Sequence, residues 1–182
     1  MAAMAQPDDN DHGDESSLCT SCALCCDGTL FGFVPVEADE VEAAGRLFAL
    51  ETFGDRTGFS QPCPHCTTGG CAAYGDRPRT CRSYACTTLK SMRNGEIDLA
   101  AARQRVSAVQ QALAAMAAAL GPDESVAAFR QRARAAPDFR TLSAENPRAC
   151  MQLGLLQILL DRHFRKDGQK VMAAAGEAMT AD

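Results

Sequence analysis

Between residues 19 and 26 the chain reads Cys19-Thr20-Ser21-Cys22-Ala23-Leu24-Cys25-Cys26, four thiols within eight positions. Two residues between successive cysteines let their sulfurs face a common ion or cluster from one short loop. A lone C-x-x-C is weak evidence for a metal site; a run of three at this spacing, ending in a vicinal pair, is strong. Adjacent cysteines seldom reach one tetrahedral ion comfortably, so Cys25 and Cys26 are expected to serve different metals.

A second group follows at Cys63-Pro64-His65-Cys66, Cys71, Arg77-Pro78-Arg79-Thr80-Cys81-Arg82 and Cys86. Nine of the ten cysteines therefore fall between Cys19 and Cys86. The stretch from Gly54 to Gly75 shows little periodicity. So long an irregular segment in a compact domain needs an organiser other than an apolar core, and a bound metal supplies one. His65 lies between two candidate ligands; its imidazole could bind metal, but the Pro64-His65 pair is expected to shape a turn. Cys150 stands alone on the first turn of an apolar helix and reads as a small buried residue.

Taken together, these residues resemble a family of bacterial cysteine-cluster proteins with a C-x-x-C-x-x-C-C signature, described as zinc- or iron-chelating domains. The second half of the family pattern is matched by Cys63-Pro64, Cys71-Ala72-Ala73-Tyr74, Arg77-Pro78, Cys81-Arg82 and Cys86. Ala73 stands where Ile is usual and Tyr84 where Phe is usual. The resemblance covers about Leu18 to Leu89 and implies metal binding. It implies ligand roles for Cys19, Cys22, Cys25, Cys26, Cys63, Cys71, Cys81 and Cys86, with Cys66 a ninth candidate outside the regular pattern. Eight thiolates suit two four-cysteine sites. Thiolate-bound metal is anionic, and the match gives Arg77 and Arg82 supporting roles in which they offset that charge and donate hydrogen bonds to sulfur. Arg79 reads as a solvated surface charge.

Composition narrows the class. The chain has 182 residues, 46% of them hydrophobic and 23% charged, which excludes full disorder and suffices for one domain with a satellite module. Net charge is −5, unevenly spread: residues 1–55 carry −11 and residues 56–182 carry +6. The basic part has no aromatic-interleaved patch, so nucleic acid is an unfavoured partner. No run of 18 apolar residues is present and the acidic start resembles no leader peptide, so a cytoplasmic protein with no membrane partner is expected. A reducing compartment also favours metal or redox roles for dense cysteines over disulfides.

The expected fold is mainly α: an irregular cysteine-rich metal-binding module followed by a helical region of three or more helices. The expected divisions are a disordered acidic tail (1–17), the cysteine module (18–89), a helical region packing on it (90–170) and a frayed tail (171–182). Within the module, residues 30–34 read as a strand stopped by Pro35, and residues 37–50 as a helix burying Val41, Ala44, Leu47 and Phe48. Asp98 is positioned to cap a helix with Leu99, Val106, Leu113 and Leu120 at heptad spacing and Ala102, Val109 and Met116 between them, stopped by Gly121-Pro122. Residues 123–135 form a second helix. Asn146-Pro147 opens a third, with Leu153, Leu156, Leu160 and Phe164 inward and Leu155, Ile158 and Leu159 widening its apolar surface to near Gly168.

Successive C-x-x-C-x-x-C spacing is more typical of iron–sulfur ligation, whereas structural zinc favours two separated C-x-x-C pairs. An iron–sulfur cluster or iron is therefore the favoured cofactor, in a redox component with an unidentified redox or protein partner. Zinc in a structural or protein-interaction module is the alternative, and a metal-dependent protein-modification enzyme the second. No nucleophile–base pair is evident; an enzyme of this kind would be oxidoreductase-like.

Overall fold

The computed structural model describes residues 11–68, 70–136 and 138–166. Its elements run α1 (Asp11–Cys22), β1 (Phe33–Pro35), a 3-10 turn (Ala38–Glu40), α2 (Val41–Gly45), β2 (Glu51–Phe53), β3 (Arg56–Ser60), β4 (Cys66–Thr67), β5 (Gly70–Cys71), α3 (Arg79–Ser83), α4 (Thr87–Arg93), α5 (Leu99–Leu120), α6 (Val126–Ala135), α7 (Phe139–Glu145) and α8 (Pro147–His163). The chain is mainly helical, and among the described residues its small sheets lie in the cysteine-rich part. Two compact units form: Met1–Ala85 with Leu89–Ala102, and Cys86–Thr88 with Arg103–Asp182. That division differs from a single cut after residue 89, because the chain passes between the units within both α4 and α5.

The first unit is built on an antiparallel sheet ordered β1-β3-β2. Val34 faces Phe59 and Pro35 faces Gly58 across one edge; Glu51 faces Gly58 across the other. Val34, Val36, Ala44, Phe48 and Phe59 form the buried core behind it, with Phe48 and Phe59 stacked at 4.0 Å between ring centroids. Val41 and Leu47 pack against that core as expected, but α2 is only five residues long. Its last residue, Gly45, is a poor helix former. Beyond it the Leu47 and Phe48 amides both donate to the Ala44 carbonyl in a closing turn, and the chain then extends into β2.

Disorder to Ser17 is overturned from Asp11 onward, where α1 begins; residues 1–10 lie outside the described residues. The cause is anchoring beyond the reach of local sequence. Leu18 is buried, Glu15 takes two 2.7 Å hydrogen bonds from Arg93, and the Ser16 and Tyr74 hydroxyls meet at 2.8 Å.

In the second unit, α6 and α8 bury Phe129, Ala149, Leu153, Leu156 and Leu160, α7 adds Leu142, and Phe164 follows α8. Carbonyls at and just beyond the end of α8 are satisfied by Thr87 and Thr88: the Thr87 amide donates to the Phe164 carbonyl, its hydroxyl to that of Arg165, and the Thr88 hydroxyl to that of His163. Helix α8 ends at His163, and the expected tail 171–182 lies outside the described residues. Leu155 and Ile158, expected to widen the apolar surface of this helix, are exposed, on the side opposite its buried face.

Along α5, Ala102, Val109 and Met116 are fully buried and Val106 nearly so, while Leu99, Leu113 and Leu120 are half-buried. Asp98 caps it as expected, its carboxylate accepting the Ala101 amide at 2.7 Å. Asp98→Ala is expected to cost about 1 kcal/mol, read as a lower urea midpoint with an unchanged slope.

Candidate metal centre

Each cysteine-bearing segment is placed by ordinary backbone chemistry. Helix α1 carries Cys19 and Cys22 one turn apart and ends at Ala23, whose φ of 55° puts it in the left-handed region typical of a helix C-cap. The Cys26 and Asp27 amides then donate to the Ala23 carbonyl at 2.7 and 2.9 Å, closing the turn that bears Cys25 and Cys26. The Asp27 carboxylate accepts the Thr29 amide, and Leu24 is buried beneath. This turn is tied directly to the second cysteine group: the Cys63 amide donates to the Cys26 carbonyl at 2.7 Å.

Cys63 to Cys66 form a tight turn closed by the Cys66 amide on the Cys63 carbonyl. Cys66 and Cys71 then face each other across the β4–β5 hairpin. Gly70, at φ 105°, brings that hairpin against α1; a Cβ there would lie 3.1 Å from Cβ of Thr20, between Cys19 and Cys22. Cys81 rides on α3. Both Glu40 carboxylate oxygens accept the Arg79 amide at the start of that helix, and the Thr80 hydroxyl donates to the Pro35 carbonyl. Cys63 and Cys81 both pack on the first unit's apolar core.

The result is a neighbourhood of five thiols, Cys26, Cys63, Cys66, Cys71 and Cys81, that feel one another electrostatically. Burial, followed by the neighbouring thiols of Cys66, Cys63, Cys71 and Cys81, pushes the Cys26 thiol up to about 12. Burial and then Cys63 push Cys81 up to about 11, opposed by the Arg77 guanidinium. Burial also raises Cys63, but the amides of His65 and Cys66 point at its sulfur and favour the thiolate. Cys66 is raised by burial and by the Asp27 carboxylate, with a hydrogen bond to Cys26 acting the other way. Among the described residues, no three His, Cys, Asp or Glu side chains stand in an arrangement that would hold a metal ion. The structure thus gathers donors without forming a coordination shell.

The donor chemistry nevertheless fits a thiophilic metal. Five thiols share one partly buried neighbourhood, a cation lies beside one of them, and amides are aimed at another. Such thiols are costly to ionise unless a metal replaces their protons.

The other candidates fall into place individually. Cys66, outside the regular pattern of the resemblance, lies within the group, where it is coupled to Cys26, Cys63 and Cys71; its C-x-x-C spacing from Cys63 was the usable signal. Arg77 is held by the Tyr74 carbonyl at 2.9 Å and lies over the Tyr74 ring at 3.6 Å, while its charge acts on Cys81. Arg82 reaches Glu40 at 3.4 Å, which makes it part of the clasp on α3. Arg79, exposed as expected, pairs with Asp39 at 2.8 Å and holds that carboxyl below the usual carboxylate range. His65 donates from Nε2 to the Leu47 carbonyl at 2.8 Å and sets its ring edge against Phe48, fastening the turn to the core. Cys86 belongs to the second unit. Cys150 is buried, with its thiol raised by burial. No helix among the described residues is long and apolar enough to cross a membrane.

A family model described as "CxxCxxCC: Putative zinc- or iron-chelating domain" matches residues 18–109. No curated protein and no solved structure matches the chain.

Proposed function

Since the chain belongs to this CxxCxxCC family, whose description supports metal binding, we propose that its thiols hold iron, as an iron–sulfur centre, in an electron-transfer role. The observation that carries the reading is the Cys63–Cys26 backbone hydrogen bond, which joins the two cysteine stretches and sets five thiols in one neighbourhood. Cys26, Cys63, Cys66, Cys71 and Cys81 would be the first ligand set. Cys19, Cys22 and Cys25 remain as donors for a second site. Iron held by thiolates supplies one-electron chemistry and needs a redox partner.

The protein's own residues shape that chemistry. Arg77 offsets thiolate charge at Cys81, and the His65 and Cys66 amides do so at Cys63. The Val34–Phe48–Phe59 core keeps water from one side of Cys63 and Cys81. Zinc is the second reading, favoured by one feature: a Cys63-Pro64-His65-Cys66 turn with amides aimed at sulfur, as in closed structural zinc sites.

Elemental analysis and an absorption spectrum of anaerobically purified protein separate the two. Iron with visible absorbance that bleaches under dithionite supports the first reading. Colourless protein with about two zinc ions per chain supports the second, and protein with neither metal contradicts both. Cys22→Ala and Cys66→Ala should each lower metal content sharply, whereas Cys150→Ala should leave it intact. Equal losses from all three variants would refute the separation of ligands from core.

A further inference from the structure

Helix α8 is apolar on two opposite faces. Ala149, Leu153, Leu156 and Leu160 are buried, yet Met151, Leu155 and Ile158 remain 65%, 45% and 51% exposed. Steps of four and three residues put these three on one stripe. Arg148 and Arg162 lie seven positions either side of Leu155, nearly two full turns each way, so both fall on the same stripe, and both are exposed. They bracket it over roughly 21 Å. Among the described residues neither arginine forms an ion pair, although the buried Arg165 nearby is fully engaged with Asp161 and Gln157.

Three exposed apolar side chains in one row, opposite the buried face of the helix, offer an interaction surface, and the charges at its ends select the occupant. Pairing of this stripe with the same stripe on a second copy is disfavoured in either direction. Parallel pairing sets each arginine beside its twin, and antiparallel pairing about Leu155 sets Arg148 of one copy against Arg162 of the other. We infer that the Met151–Leu155–Ile158 stripe docks an amphipathic helix of a partner protein that carries an Asp or Glu near each end of its apolar contact face, about four turns apart. The stripe lies outside the family-matched residues, so this inference does not rest on the metal reading.

The test uses the full-length, metal-containing protein. Two labelled synthetic helical peptides are compared by fluorescence anisotropy: one with a Leu stripe bracketed by Glu seven residues on either side, the other identical with Lys for Glu. The Glu peptide is expected to bind roughly tenfold tighter. The double variant Leu155→Gln/Ile158→Gln should weaken it by a similar factor, and Arg148→Glu/Arg162→Glu should reverse the preference. Unchanged circular dichroism checks that the variants fold, and the two-peptide comparison on the unaltered protein decides even if they do not. Equal binding of both peptides, or none, overturns the inference. So does a concentration-dependent dimer abolished by Leu155→Gln, which would assign the stripe to self-association. Binding to phosphatidylserine–phosphatidylcholine vesicles in place of the Glu peptide would overturn it too, assigning the stripe to a membrane surface.

Discussion

Stripping the metal with a chelator is expected to unfold the cysteine-rich unit while the helical unit persists. Val34, Val36, Ala44, Phe48 and Phe59 pack behind the first unit's described sheet, while the cysteine-bearing turns around it are closed by single backbone hydrogen bonds such as Cys63 to Cys26 and Cys66 to Cys63, so metal is expected to hold those turns. Metal fixed by thiolates from both stretches adds a free energy on the order of 10 kcal/mol, a scale known from structural zinc sites, and that energy is available only to the folded arrangement. The second unit draws its stability from Phe129, Leu156, Leu160 and Phe164, each at most 1% exposed, and loses nothing directly. Limited proteolysis after chelation should therefore cut within residues 27–80 and spare residues 103–163, with most helical circular dichroism retained. A proteolysis pattern identical with and without metal would show that the loops are held by something else.

Gly58→Ala is expected to be the most damaging single substitution in the sheet. Gly58 sits on the central strand β3, opposite Pro35 on one side and Glu51 on the other. An added methyl would collide with the Val34 carbonyl oxygen and approach the Phe33 ring to 2.6 Å and Cα of Pro35 to 2.9 Å. Two of these contacts are backbone and cannot swing aside, so β1 and β3 must separate. A cost of about 3 kcal/mol follows, at the upper end of overpacking effects. Because β3 leads directly into the turn bearing Cys63, metal content should fall along with thermal stability. A melting temperature within about 2 °C of the unaltered protein would mean that the strands have room this geometry denies them.

The legible parts of the sequence were those in which local pattern and tertiary role coincide. The inward face of α8 is buried as its helical spacing implies, and along α5 Ala102, Val106, Val109 and Met116 are buried while Leu99, Leu113 and Leu120 are half-buried at its margin. The sheet was hardly legible: residues 30–34 read as a strand stopped by Pro35, whereas β1 runs Phe33–Pro35 and takes Pro35 into its pairing with Gly58. Its strands are three to five residues long, too short for alternation to register, and their pairing depends on Gly58 fitting beneath β1. Residues 11–17 read as an acidic tail because the helix there is secured by Arg93 and Tyr74, far along the chain. His65 is similar: its role is set by a carbonyl eighteen positions away. The family resemblance implied ligand roles for Cys26 and Cys63, but neither it nor the spacing could show that Cys66 joins them in one neighbourhood or that Arg82 turns to Glu40. Those facts depend on where α3 lands. Leu155 and Ile158 show the converse limit, since a helix apolar on two sides does not disclose which side is covered.

X-ray absorption at the metal edge, on anaerobically purified protein, counts the sulfur atoms around the metal and so decides whether the two cysteine stretches share it. The account predicts a first shell of about four sulfur atoms, near 2.3 Å if the metal is zinc, and a reduced sulfur count in Cys26→Ala and in Cys63→Ala alike. A first shell of oxygen and nitrogen, or a sulfur shell indifferent to one of those two substitutions, would contradict the meeting of the two cysteine stretches at a common metal.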